Sequence, residues 1–358
     1  MNSLPKVAST ARRSTEMLVA GSICSGYTPR KVQAVRPALR VKACLDAPPA
    51  IQLVPQSAWL TPKPDASWTR FICFSDTHGL HEKIPAANQP AGDVLLHAGD
   101  FTATGRHEQV ESFGRWVARY PCTDKVVIAG NHDITFDEHY YNATGADRFH
   151  QGRPYDCTQA RRLLSGCTYL QDEPAEVQGY TIYGSPWQPA FSNWAFNMPR
   201  GSEAAHWAST PAAVDVLLTH GPPLGCGDRT LPAGIREGDC DLRAAIEERA
   251  ISVHVCGHLH EGYGATKRGG ALFINAATSD ERHEPTNPPL VFDCPPPQVM
   301  RATAAAALQE RQQSNELDSL GFHVRVEEMF SFGSSIFLTN YALTSFCLFR
   351  AALLKGAV

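Results

Sequence analysis

The chain has 358 residues, a formal net charge of −4 and eleven cysteines. That charge argues against a protein that binds nucleic-acid polymers electrostatically, which needs a basic surface, though it leaves a nucleotide open as substrate because bound metal supplies its own positive charge. The cysteines are scattered, odd in number and without a C-x-x-C pair, the usage of reduced intracellular thiols rather than of a disulfide framework.

In chain order, residues 1–50 stand apart. Lys6, Arg12, Arg13, Arg30, Lys31, Arg36, Arg40 and Lys42 face only Glu16 and Asp46, with Ser and Ala between them. A basic, acid-poor, Ser-bearing start without an apolar core has the composition of a chloroplast or mitochondrial transit peptide; the alternative is an unaddressed disordered tail on a cytoplasmic protein. Residues 51–66 are Pro-rich and read as a linker.

From residue 67 short apolar runs alternate with helical patterns. The runs at 71–74, 94–96, 126–129, 214–218 and 253–256 are bounded by Gly or polar residues, as buried strands are. Each leads into a polar string: Asp76-Thr77-His78, Gly99-Asp100, Gly130-Asn131-His132-Asp133, Thr219-His220-Gly221 and Gly257-His258-Leu259-His260. Carboxylate, imidazole and amide oxygen are ligands for borderline divalent cations, and the loops after neighbouring strands converge on one rim of a sheet. Val110, Phe113, Val117 and Tyr120 share a helical face that stops at Pro121, and Asp239 can cap a helix running to about Arg249. Further strands are expected at 180–183, 271–275 and 290–292. His97 and His254 lie inside strand runs and are expected to be packed rather than ligating; His81, His107, His139, His150, His206, His283 and His323 read as solvent or loop residues. The stretch 187–196, with Phe191 and Trp194, is a candidate aromatic rim. Beyond 296 the chain is expected to leave the domain as a tail (297–358) with a helical stretch at 303–320. Its 329–349 segment carries no charge and is long enough to span a bilayer, but it is diluted by Ser, Thr, Asn and Gly; the alternatives are a peripheral or partner-packed helix in contact with a membrane and a poorly ordered tail.

The five strings, in this order, resemble the D-x-H, G-D, G-N-H-[D/E], H, G-H-x-H pattern of the calcineurin-like metallophosphoesterase superfamily. The segments 219–225, 257–264 and 285–289 resemble its metallophosphoesterase-domain-containing branch. The resemblance covers residues 67–296. It implies an α/β metallophosphoesterase fold, two mixed β-sheets sandwiched between helical layers, and a centre of two divalent metal ions (Mn, Fe or Zn). By motif position Asp76, His78 and His260 would serve the first ion, Asn131, His220 and His258 the second, and Asp100 would bridge them. His132 would contact the phosphate and protonate the leaving group, with Asp133 orienting it; imidazole suits proton transfer near neutrality. The expected activity is hydrolysis of a small phosphodiester or cyclic nucleotide. The alternatives are a phosphomonoester or phosphoprotein phosphatase, and a nucleotide-binding member with little turnover. Some relatives in the branch lack a metal-site His, whereas both His258 and His260 are present here.

Overall fold

A computed structural model describes residues 51–231 and 234–319. The expectations for residues 1–50, for His323 and for the uncharged 329–349 segment lie outside them.

Two six-stranded sheets form the frame. The first has the order β1 (Gln52–Val54), β14 (Leu290–Cys294), β2 (Thr69–Phe74), β3 (Val94–Ala98), β4 (Asp124–Ile128), β5 (Thr168–Tyr169). The second runs β12 (Gly264–Arg268), β13 (Ala271–Asn275), β11 (Val253–Cys256), β10 (Val216–Thr219), β7 (Tyr180–Ser185), β6 (Glu173–Val177). In each, four neighbouring strands are parallel; β1 and β14 in the first sheet and the two edge strands of the second pair antiparallel, so both sheets are mixed. Parallel strands buried on both faces need apolar residues at successive positions, and the runs supply them. Along β2, Phe71 and Cys73 point between the sheets while Ile72 and Phe74 point outward. Along β10, Val216 and Leu218 face inward and Leu217 outward.

Three apolar clusters therefore make four layers. One lies between the sheets; a second packs the first sheet against α1 (His107–Arg119) and α4 (Cys157–Leu163). The third packs the second sheet against α5 (Glu203–Trp207) and α6 (Cys240–Glu248). This is the expected arrangement of two mixed sheets between helical layers. The anticipated helices are α1, which buries Val110, Phe113 and Val117, and α6, capped by the Asp239 side chain, which accepts from the N–H groups of Asp241 and Leu242. Short helices α2 (Glu138–Tyr140) and α3 (Ala146–His150) and a two-stranded parallel pair, β8 (Gln188–Pro189) with β9 (Asn197–Met198), fill the loops. The eight cysteines of the described residues are all free thiols.

The expected domain boundaries need correction at both ends. The segment read as a linker supplies β1, which pairs with β14, and Trp59, which is buried in the first outer core. Arg70 explains the attachment: its guanidinium makes a buried two-pronged pair with Asp293, 2.8 Å at each prong, and donates to the Trp59 carbonyl at 2.8 Å. At the other end the chain does not leave the domain after 296. Helix α7 (Pro297–Ser319) starts there, with proline at its first position. Met300 is buried in the inter-sheet core, and Arg301 pairs with Asp215. No helix among the described residues is long and apolar enough to cross a membrane.

Candidate metal centre

The ends of β2, β3 and β4 in one sheet and of β10 and β11 in the other open onto a common rim. There the Ser75–Ala277 bridge and the His220 Nδ1 contact with the Ala98 carbonyl join the sheets. Close approach fixes residue choice at two positions. A Cβ on Gly130 would lie 2.3 Å from the Asp100 carboxylate, and one on Gly257 would lie 2.0 Å from that of Asp76. The backbones of Asp76, His78, Asp100 and His258 all adopt left-handed φ of 53°, 44°, 54° and 66°. Four non-glycine residues in that region at one rim mark a site whose geometry the surrounding fold imposes.

The structure brings together all seven residues expected as ligands. His260 Nε2 lies 3.2 Å from His78 Nε2 and 3.5 Å from Asp76 Oδ1. His220 Nε2 lies 3.0 Å from Asn131 Oδ1 and 3.4 Å from Asp100 Oδ2. Asp100 Oδ2 is also 4.0 Å from His78 Nε2, so this carboxylate faces both groups. His258 joins Asp100 and His220 in a cluster whose ligand atoms lie within 4.8 Å of one another.

The donor set fits a divalent ion. His220 Nδ1 donates to the Ala98 carbonyl and His260 Nδ1 to the Asp280 carbonyl, both at 2.8 Å. Each ring therefore turns its other nitrogen, a lone pair, toward acceptor oxygens: Asn131 Oδ1 and Asp100 Oδ2 for His220, and Asp76 Oδ1 for His260. Such a cluster is stable only around a proton or a cation, and atoms about 2.0–2.2 Å from a shared ion stand about 3–3.5 Å apart. Without metal, protons take that role. Burial opposes charge on every member, yet Asp100 lifts His220 to about 9 and the Asp76 contact lifts His260 to about 9. Against their own burial, Asp76 and Asp100 are held below the ordinary carboxylate range, chiefly by His260 and by His220. Burial drives His78 down to about 4 and His258 to about 3, which leaves them neutral and ready to ligate.

His132 sits among these groups, its ring 4.6 Å from that of His78. Its backbone N–H donates to Asp100 Oδ1 at 2.7 Å, and its Nδ1 donates to the Ala103 carbonyl at 2.9 Å. The role expected of Asp133 is therefore corrected: the group that orients His132 is Ala103, not Asp133. The Asp133 carboxylate instead accepts from the N–H groups of Phe101, Thr102 and Gly130 and from the Thr102 hydroxyl, tying the loop that bears Asp100 to the one that bears Asn131. Burial, aided by Asp100, pushes its carboxyl up to about 7 against those donors.

The aromatic rim is present. Trp194 stacks on His132 with centroids 4.0 Å apart, and Phe191, 56% exposed, meets the His258 ring edge-on at 5.8 Å. His97 and His254 are packed as expected: each is fully buried with Nε2 on a threonine hydroxyl, Thr77 at 3.1 Å and Thr219 at 2.8 Å. Two histidines read as solvent or loop residues are buried instead, His81 against Phe113 and Trp116 and His150 on the Tyr141 hydroxyl. One residue that sequence reasoning set aside, His283, arrives at the rim, 5.1 Å from His78 and 5.0 Å from His260 by ring centroids. Nothing in its Asp-Glu-Arg-His context signals this; only the turn that carries it does.

A family model described as calcineurin-like phosphoesterase matches residues 69–262. The chain is 41% identical over 258 residues to metallophosphoesterase domain-containing protein 1 of Homo sapiens and, equally, of Mus musculus, covering 70% of this chain and 78% of each relative. This chain belongs to the calcineurin-like phosphoesterase family. A solved structure described as a novel archaeal phosphodiesterase is 12% identical, covers 57% of this chain and 82% of its own, and superposes with a TM-score of 0.28. As a calcineurin-like phosphoesterase, the chain is assigned by its family to metal-dependent hydrolysis of phosphoesters, and the Asp and His clusters at the rim are groups able to hold divalent metal.

Proposed function

We propose that this calcineurin-like phosphoesterase is a phosphodiesterase that uses two divalent ions on small diesters, cyclic nucleotides among them. The observation that carries the reading is the convergence of seven candidate ligands, from both sheets, on the one carboxylate, Asp100, that faces both clusters. Asp76, His78 and His260 would hold one ion and Asn131, His220 and His258 the other, with Asp100 shared. When bound, such a pair acidifies an attacking water and offsets charge on the phosphoryl oxygens.

The chain's own residues do the rest. Because His132 Nδ1–H is committed to the Ala103 carbonyl, Nε2 is the atom able to give a proton to a leaving oxygen. Trp194 covers one face of that ring and restricts its rotation, while the Asp100 contact to the His132 N–H sets its distance from the carboxylate. Phe191, exposed beside His258, offers an apolar face to a planar group on one arm of a diester, which favours a diester over a phosphorylated protein. Bis-aryl and mono-aryl phosphates assayed side by side with added manganese test the proposal. The diester is expected to give the larger kcat/KM; a monoester preference of tenfold or more, or no hydrolysis of either, would overturn it.

A further inference from the structure

The segment after β13 closes the exposed side of the rim. The Thr278 N–H donates to the Ser75 carbonyl and the Ser279 hydroxyl to the Asp76 carbonyl at 2.7 Å, so the segment is fastened to the loop that bears Asp76 and His78. Asp280 then builds a tight turn. Its Oδ1 accepts from the N–H groups of Arg282 and Glu284 at 2.8 and 3.0 Å, while its carbonyl accepts from the His283 N–H at 2.9 Å and from His260 Nδ1 at 2.8 Å. One carbonyl thus orients the ring of His260 and sets the backbone of His283. Inside this turn His283 has φ of 59°, the left-handed conformation also found at Asp76, His78, Asp100 and His258. Its ring stands edge-on to His78 and His260, and the three imidazoles each offer a nitrogen within 4.8 Å of the other two.

We propose that His283 is an additional metal ligand, completing a three-imidazole set with His78 and His260 at the first ion position. This rests on the two-ion reading above and goes beyond its seven residues. An exposed imidazole gains nothing from apolar burial here. It is nonetheless held toward two rings whose Nε2 atoms meet at 3.2 Å. The chemical consequence is an asymmetry. Three imidazoles and carboxylates make the first position rich in nitrogen, suited to Zn, Co or Ni; the second, with its amide oxygen and two imidazoles, is better matched to Mn.

The test uses the full chain, stripped by chelator and titrated with Co(II), read by calorimetry and by visible absorption. Wild-type protein is expected to take up two ions. His283→Ala should weaken one of the two binding events by at least tenfold and change the absorption of that ion alone, while His139→Ala, at an exposed position away from the rim, should alter neither. His283→Cys supplies a positive readout: a thiolate-to-cobalt charge-transfer band arises only if that side chain enters the coordination sphere. Two wild-type-like events in His283→Ala, together with no such band in His283→Cys, would overturn the assignment of His283 and leave the two-ion reading standing. Wild-type protein that takes up no ion would overturn both.

Discussion

Asp100 is the residue through which both halves of the site communicate. One of its oxygens accepts the His132 N–H, and the other faces His220 and His78. Asp100→Asn keeps the shape but gives up the charge that two ions share, so elemental analysis after dialysis is expected to show both ions depleted together. One ion lost and one kept at full occupancy would assign Asp100 to a single position. His132 makes the complementary case. His132→Ala should keep both ions and lose turnover by roughly 10²–10⁴-fold. The loss should be greater on a diester with an alkyl leaving group, which needs the proton, than on a nitrophenyl ester, which leaves without one. Equal losses on the two esters would make the residue's role electrostatic. Gly257→Ala tests the fit of the rim itself. The added methyl must displace Asp76 or Ser75, so metal content should fall at the first position, and the melting temperature with chelator present should fall too because the Asp76–His260 pair is disturbed. Unchanged metal content would mean the loop yields without moving its ligand.

At the scale of elements, the strands that carry the strings were legible because a strand buried on both faces must be apolar at successive positions, and a loop that holds cations must be polar directly afterwards. Helices α1 and α6 were legible from their apolar stripes and, in α6, from a capping aspartate. What could not be read is what depends on partners far away in sequence. β1 belongs to the domain because β14 offers it an edge and because Arg70 reaches Asp293 across 223 positions. The Asp133 carboxylate looked like a partner for its neighbour His132, but the nearest donors in space are on the 101–102 loop and Gly130. The Arg70–Asp293 pair yields a measurable consequence. Removing one member strands a buried charge, so Asp293→Ala should lower stability by about 3–5 kcal/mol in urea denaturation, with activity per folded molecule retained because the pair lies outside the candidate ligand set. A change below 1 kcal/mol would mean that water reaches the guanidinium.

For the molecule as a whole, the site is also where the two sheets are held to each other. Asp76 and Asp100 come from the first sheet and His260 and His220 from the second, so each close pair spans the interface between the layers. In the chelated chain these histidines keep their protons to about 9, whereas an unfolded chain gives them up at about 6.5. The native state therefore binds more protons than the unfolded state between those values, and stability falls as pH rises through the window. His78 and His258, shifted down, act only below about 6.5, and Asp133, raised to about 7, adds the same sign as His220 and His260 and fades above that value. The buried thiols, shifted up, add the same sign as His220 and His260 only from about 8.5. From pH 7 to 8, then, the slope belongs chiefly to the two imidazolium–carboxylate pairs, with a declining share from Asp133. Metal competes for the same nitrogens, so its uptake should release up to two protons per chain, read as a dependence of binding heat on the ionisation heat of the buffer. The expected outcome is a melting temperature that declines from pH 7 to 8 with chelator, and a metal-induced increment that grows over the same range. A chelated chain whose melting temperature holds steady or rises across that range would mean that the pairs are not charged in the metal-free protein, and that something other than protons keeps the two sheets' acceptors apart.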